Sequence, residues 1–106
     1  MAAVGGTFQQ TVLISVAVLG GRGDAADVVA EVERRLGRAV PSGAVHITLQ
    51  RLERKRMICS KPTSDRRRRD GHGPRHYRIE PAGLRALAAA KAEAEKAWRG
   101  VSLDAK

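Results

Sequence analysis

Apolar residues recur along this chain at helical spacing in four places and at strand spacing in two. Phe8, Val12, Val16 and Leu19 fall on one face of a first segment, which predicts a helix over about 8–19 capped by Thr7. Gly20-Gly21-Arg22-Gly23 stops it. Asp24 suits the cap of a second helix over 24–36, with Val28, Val29, Val32 and Leu36 inward and Gly37 at its end. After the short link Arg38-Ala39-Val40, Pro41 fits the first turn of a third helix over 41–56. There Val45, Leu49 and Leu52 form a narrow apolar stripe. Two helices joined by so short a link make a helix-turn-helix.

Past Arg56 the period drops to two. Ile58 and Ser60 alternate across a first strand, Met57 to Pro62, and Tyr77 and Ile79 across a second, Arg75 to Glu80. Between them Thr63 to Pro74 is polar and Arg-rich, with Asp70-Gly71 and Gly73-Pro74 as turn signals. Pro81 then opens a last helix whose apolar side holds Leu84, Leu87, Ala94 and Trp98. The expected fold is mainly α with a small β-hairpin, a winged helix-turn-helix. Its core covers 1–80 with the wing at 57–80, followed by an extra C-terminal dimerisation helix at 81–99 and a flexible tail at 100–106.

Charge sharpens this picture. Twenty Lys and Arg stand against eleven Asp and Glu, a net of +9. Between Arg51 and Arg78 eleven cations meet only Glu53, Asp65 and Asp70, so +8 of the excess lies there. Basic charge gathered in one segment is the footprint of a polyanion binder, whereas an ordinary solvated loop has no need to adjoin a helix. The 106 residues suffice for one domain. One Phe, one Tyr and one Trp leave a core of Ala, Val, Leu and Ile and point to help from a partner subunit. The single Cys59 forms no internal disulfide and fits a reducing, cytoplasmic setting. Thr11 to Leu19 is too short to span a bilayer, so no membrane role is expected.

The candidate site is the outer face of the third helix. His46, Ile47, Gln50, Arg51 and Arg54 lie opposite the apolar stripe. Gln50 and Arg51 match adenine and guanine edges, and Ile47 either meets a thymine methyl group or is merely an exposed apolar residue. Ser42 either satisfies backbone donors or binds phosphate; His46 suits a phosphate or base. Thr48 borders the two faces, within reach of a base or the backbone. Arg54 and Lys55 suit phosphate or solvent. In the wing, Arg66, Arg67, Arg68, Arg69 and Arg75 are candidates for the DNA backbone or a narrow minor groove.

Two segments, Pro41-Ser-Gly-Ala-Val-His-Ile-Thr-Leu-Gln-Arg-Leu-Glu53 and Arg75-His-Tyr-Arg-Ile-Glu-Pro-Ala-Gly83, resemble the PadR family of bacterial transcriptional regulators. That family carries Ser-Gly ahead of a helix ending in Leu-x-Arg-Leu-Glu, a wing with Arg and Tyr, and a Thr-x-x-Gly start to its last helix. The resemblance covers roughly Phe8 to Trp98. It departs at His46, where Tyr is common, at Gly23-Asp24-Ala25-Ala26, where a Tyr-Gly pair is usual, and at Glu80-Pro81, where the Thr would stand. It implies a bacterial, double-stranded-DNA-binding regulator, a repressor rather than an activator. It also implies a homodimer in which the last helix packs on the partner's first, with Phe8, Leu84, Leu87 and Trp98 at the interface. Trp98 either packs there or lines a pocket for a small hydrophobic effector.

Other classes fit less well. No Gly-rich phosphate loop, nucleophile elbow or paired carboxylates suggest an enzyme, and no cofactor is implied. His72, His76 and Cys59 lack the second Cys or carboxylate cluster that a zinc site wants. A basic RNA- or ribosome-associated winged helix is the main alternative, though RNA recognition usually uses spare aromatics that this chain lacks. A protein-docking winged helix leaves the basic segment without a purpose.

Overall fold

The computed structural model describes residues 6–63 and 74–104. The elements are α1 (Thr7–Leu19), α2 (Ala25–Leu36), α3 (Ser42–Arg54), β1 (Ile58–Pro62), β2 (Arg75–Ile79) and α4 (Pro81–Trp98). Helix order, hairpin and last helix follow the expected winged helix. No helix among the described residues is long and apolar enough to cross a membrane.

Helix α1 is the centre of the domain, touching α2, α3, α4 and β2. It is therefore buried over a wider arc than the line from Phe8 to Leu19 suggests, taking in Thr11, Leu13 and Ser15 besides Val12 and Val16. The two polar members are satisfied within the helix: Thr11 Oγ1 donates to the Thr7 carbonyl at 2.9 Å and Ser15 Oγ to that of Thr11 at 2.7 Å. Thr7 is inside the helix, not its cap; Gly6 holds that position without a side-chain bond.

Asp24 caps α2 as expected, and the cap is reciprocal. Asp24 accepts from the Asp27 N–H at 2.9 Å while Asp27 accepts from the Asp24 N–H at 3.0 Å. Gly37, at φ +68°, closes the helix in the left-handed conformation. In the turn to α3, Glu33 Oε2 accepts the Val40 N–H at 2.9 Å, so a side chain holds the bend of the helix-turn-helix.

Pro41 precedes α3 instead of lying in its first turn: its backbone is extended, and its carbonyl accepts from Ala44 and Val45. The far end comes at Arg54, two residues earlier than expected. Arg56 adopts φ +61° there, while the Met57 N–H reaches the Leu52 carbonyl and the Arg56 N–H that of Glu53, each at 3.0 Å. This is a Schellman closure with Arg where Gly is usual, and the buried Leu52 and Met57 supply its apolar contact.

The hairpin pairs Ile58 with Ile79, Cys59 with Arg78, Ser60 with Tyr77, Lys61 with His76 and Pro62 with Arg75. Gly23 adds a third, one-residue rung, its carbonyl accepting the Tyr77 N–H at 3.0 Å. The last of the glycines that stop α1 thus also joins the sheet.

Val12, Leu13, Val16, Val28, Val32, Val45, Leu49, Leu52, Met57 and Ile58 form the core, each side chain contributing about 1.5–3 kcal/mol by leaving water. Helix α4 starts with Pro81 and closes the core with Gly83 and Ala86. Leu87, expected at an interface with a partner, packs partly buried against this core, as does Phe8. From Lys91 onward every described residue is exposed, so the second half of α4 projects from the body.

Candidate nucleic-acid interface

Helix α3 buries Val45, Thr48, Leu49 and Leu52 and presents Ser42, His46, Ile47, Gln50, Arg51, Arg54 and Lys55 to solvent. Thr48 corrects the expectation that it borders both faces. It is only 6% exposed, and its hydroxyl donates to the Ala44 carbonyl at 2.9 Å, so it belongs to the core side. Ile47 is 52% exposed among polar neighbours. The Ser42 hydroxyl bonds no backbone group among the described residues. Lys55 donates to Gln9 Oε1 of α1 at 3.3 Å, which draws it toward the body of the domain.

The one acid on α3, Glu53, is turned away from this face. Its Oε2 accepts from Ser60 Oγ at 2.8 Å, and the same Ser60 hydroxyl accepts from Arg75 Nε at 2.8 Å. Arg75 Nη2 also donates to the Ser60 carbonyl at 3.1 Å. Arg75, proposed from sequence as a wing contact, is thus tied back to Ser60 at the middle of the hairpin. Tyr77 lies on the same side of the sheet, half-buried; burial first, and then the Glu53 charge, push its hydroxyl above the usual tyrosine range. Glu33 at the leading end and Glu53 at the trailing end therefore fix α3 against the rest of the domain. Sequence reasoning missed both, although for Glu53 an acid inside so basic a segment was the available signal. Arg66 to Arg69 and His72 lie outside the described residues.

The opposite side of the hairpin carries Cys59, Lys61, His76 and Arg78. The Glu80 carboxylate beside the Cys59 thiol, together with burial, holds the thiol pKa above its ordinary value. No three His, Cys, Asp or Glu side chains cluster into a metal site among the described residues.

On α4, Leu84 is 53% and Trp98 58% exposed, and Val18 of α1 adds an exposed apolar side chain that the sequence did not single out. Leu87 and Phe8, partly occupied by the core, offer less to a partner.

A helix-turn-helix whose second helix is exposed along one polar, cationic face, with a two-stranded hairpin beside it, is a winged helix. Solved structures share this architecture. A PadR family transcription regulator from Clostridium difficile is 20% identical, aligns over 89% of this chain and 88% of its own, and has a TM-score of 0.63. RosR of H. salinarum is 19% identical over 92% of this chain and 80% of its own, at a TM-score of 0.69. A winged-helix DNA-binding protein from STIV is 11% identical over 88% and 92%, again at 0.69. No family model matches the chain, and no curated protein matches it. The winged helix expected from the sequence is thus the fold observed.

Proposed function

We propose that this chain is a PadR-like transcriptional regulator that binds double-stranded DNA as a homodimer, with α3 in the major groove and the wing on the backbone or minor groove. The observation that carries this reading is the exposed face of α3. It presents His46, Ile47, Gln50 and Arg51 without an acid among them, on a helix held at both ends by Glu33 and Glu53. Gln50 pairs with adenine and Arg51 with guanine, Ile47 meets a thymine methyl group, and Ser42, His46 and Arg54 take bases or phosphate. Arg66 to Arg69 supply phosphate contacts from the wing. Two copies joined through Leu84 and Trp98 of α4 would set half-sites about 34 Å apart, one helical turn. Trp98 either packs in that interface or lines a pocket for a small apolar effector. Occupying an operator in this way makes repression the simplest outcome, in a cytoplasmic bacterial setting.

The test is fluorescence anisotropy against the DNA upstream of its own gene and against a scrambled duplex, across a salt series. Sequence-specific binding should outlast the salt that abolishes the scrambled complex. Arg51→Ala should then remove about 1–3 kcal/mol of discrimination at one base pair. Equal, steeply salt-sensitive binding to both duplexes would reduce the protein to a basic module and bring RNA forward as the partner.

A further inference from the structure

The hairpin has a second face whose charge the recognition surface does not use. Strand side chains alternate, so while Ser60, Arg75 and Tyr77 share the side of Glu53, their neighbours Cys59, Lys61, His76 and Arg78 point away from it. The register sets Lys61 directly across from His76 and Arg78 across from Cys59. Lys61 and Arg78 thus share one face of the pair with His76. Glu80 lies beside the Cys59 thiol, but no acid is among the residues that line the surface here, and among the described residues the side chains of Lys61, His76 and Arg78 have no hydrogen bond or ion pair. These side chains and the loop at Gly21 line an open groove of about 320 Å³.

Gly21 shapes one wall of that groove. At φ +84° it sits where a side chain is disfavoured, and a Cβ there would stand 3.2 Å from Arg78 Nε. The bare backbone lets the guanidinium lie against the loop that ends α1, where the negative end of the helix dipole favours a cation. Lys61 and His76 are left facing open solvent across the groove.

We infer that this groove, on the side of the wing turned from Glu53 and α3, is a phosphate-binding site built from Lys61, His76 and Arg78. Lys61 contributes a point charge, Arg78 a planar fork matched to two phosphate oxygens, and His76 a ring N–H donor. Its volume admits a phosphate together with the sugar that bears it. The phosphate belongs either to the DNA backbone beside the half-site or to a free phosphorylated small molecule. The first source rests on the regulator reading above; the anion site itself does not.

Two measurements on the full chain decide this. In the first, inorganic phosphate is titrated at constant pH and ionic strength while NMR follows the His76 ring and the Gly21 amide. Saturable shifts are expected in the wild type and lost in the Lys61→Gln/Arg78→Gln double variant, whose exposed substitutions leave the core untouched. In the second, duplex binding is measured against salt for both proteins. A slope lowered by about 2, near 0.9 for each phosphate released, assigns the site to the DNA backbone, with or without phosphate shifts. An unchanged slope with saturable shifts assigns it to a free phosphorylated ligand. Shifts no larger than those at Lys91 and Lys96 on α4, with an unchanged slope, overturn the inference. A wild type that binds no duplex defeats the regulator reading, and the phosphate titration still decides this one.

Discussion

Replacing Gly83 by alanine sets two ordinary effects against each other. Helix propensity alone says the change should stabilise α4, by up to about 1 kcal/mol. Packing says the reverse. A Cβ at Gly83 would fall inside van der Waals contact of the Met57 carbonyl oxygen, 2.8 Å from Ile79 Cγ1 and 3.2 Å from the Met57 carbonyl carbon. Two of those atoms are backbone and cannot swing aside, so the first turn of α4 has to retreat. Overpacking of this kind costs about 2 kcal/mol. The retreat also stretches the 2.8 Å bond from the Glu80 N–H to the same carbonyl, worth about 1 kcal/mol. The net expectation is a loss of about 2 kcal/mol, or a melting temperature lower by roughly 10 °C for a domain of this size. Calorimetry at one fixed protein concentration reads it, since association would otherwise shift the midpoint. Gly43→Ala is the control: that glycine lies inside α3 with nothing within 4 Å of a Cβ, so the same substitution should raise the midpoint. A Gly83→Ala protein that melts at or above the wild type would refute the close approach of α4 to Met57.

Three further outcomes are expected. Arg56→Gly should move the urea midpoint up by about 1 kcal/mol, because φ +61° costs an L-residue about that much; a fall would contradict the left-handed closure of α3. Ser60→Ala removes the hydroxyl shared by Glu53 and Arg75 and should cost about 1–2 kcal/mol in the same assay, with no change expected if the relay is not formed in solution. Cys59 should react slowly with a thiol reagent at neutral pH, since a raised pKa leaves less thiolate. Glu80→Gln removes the charged acceptor that favours the protonated thiol, lowers that pKa and should speed labelling; an equal or slower rate would contradict the Cys59–Glu80 contact.

The helices were legible because their signals are local. Asp24 before an apolar-periodic run, Gly37 after it, and the Val45–Leu49–Leu52 stripe are each specified within a few residues, and each recurs in the structure. What escaped the sequence depends on contacts between distant positions. Thr48 sits at the edge of the stripe, and only the packing of α3 on its neighbours decides that it turns inward. Leu87 was assigned to a partner because the pattern does not show how closely the first turns of α4, with Gly83 and Ala86, approach the core. Gly83 itself belonged to the motif shared with PadR regulators, but the reason for it, a carbonyl at Met57, lies 26 positions away. Arg75 was read as a DNA contact, and Glu53 was given no partner. Their common tie to Ser60 follows from the strand register, which no single segment specifies.

Met57 is where the separate parts of the domain share one peptide. Its N–H completes the end of α3, and its carbonyl receives the Glu80 N–H at the start of α4. Helix α3 and the projecting helix α4 thus meet at opposite sides of a single buried residue. A force applied to the far end of α4, around Trp98, is passed down the helix to α1, to Ala86 and Leu87 in the core, and to the Met57 carbonyl. Whatever holds that distant end therefore bears in part on the same buried residue that ends α3.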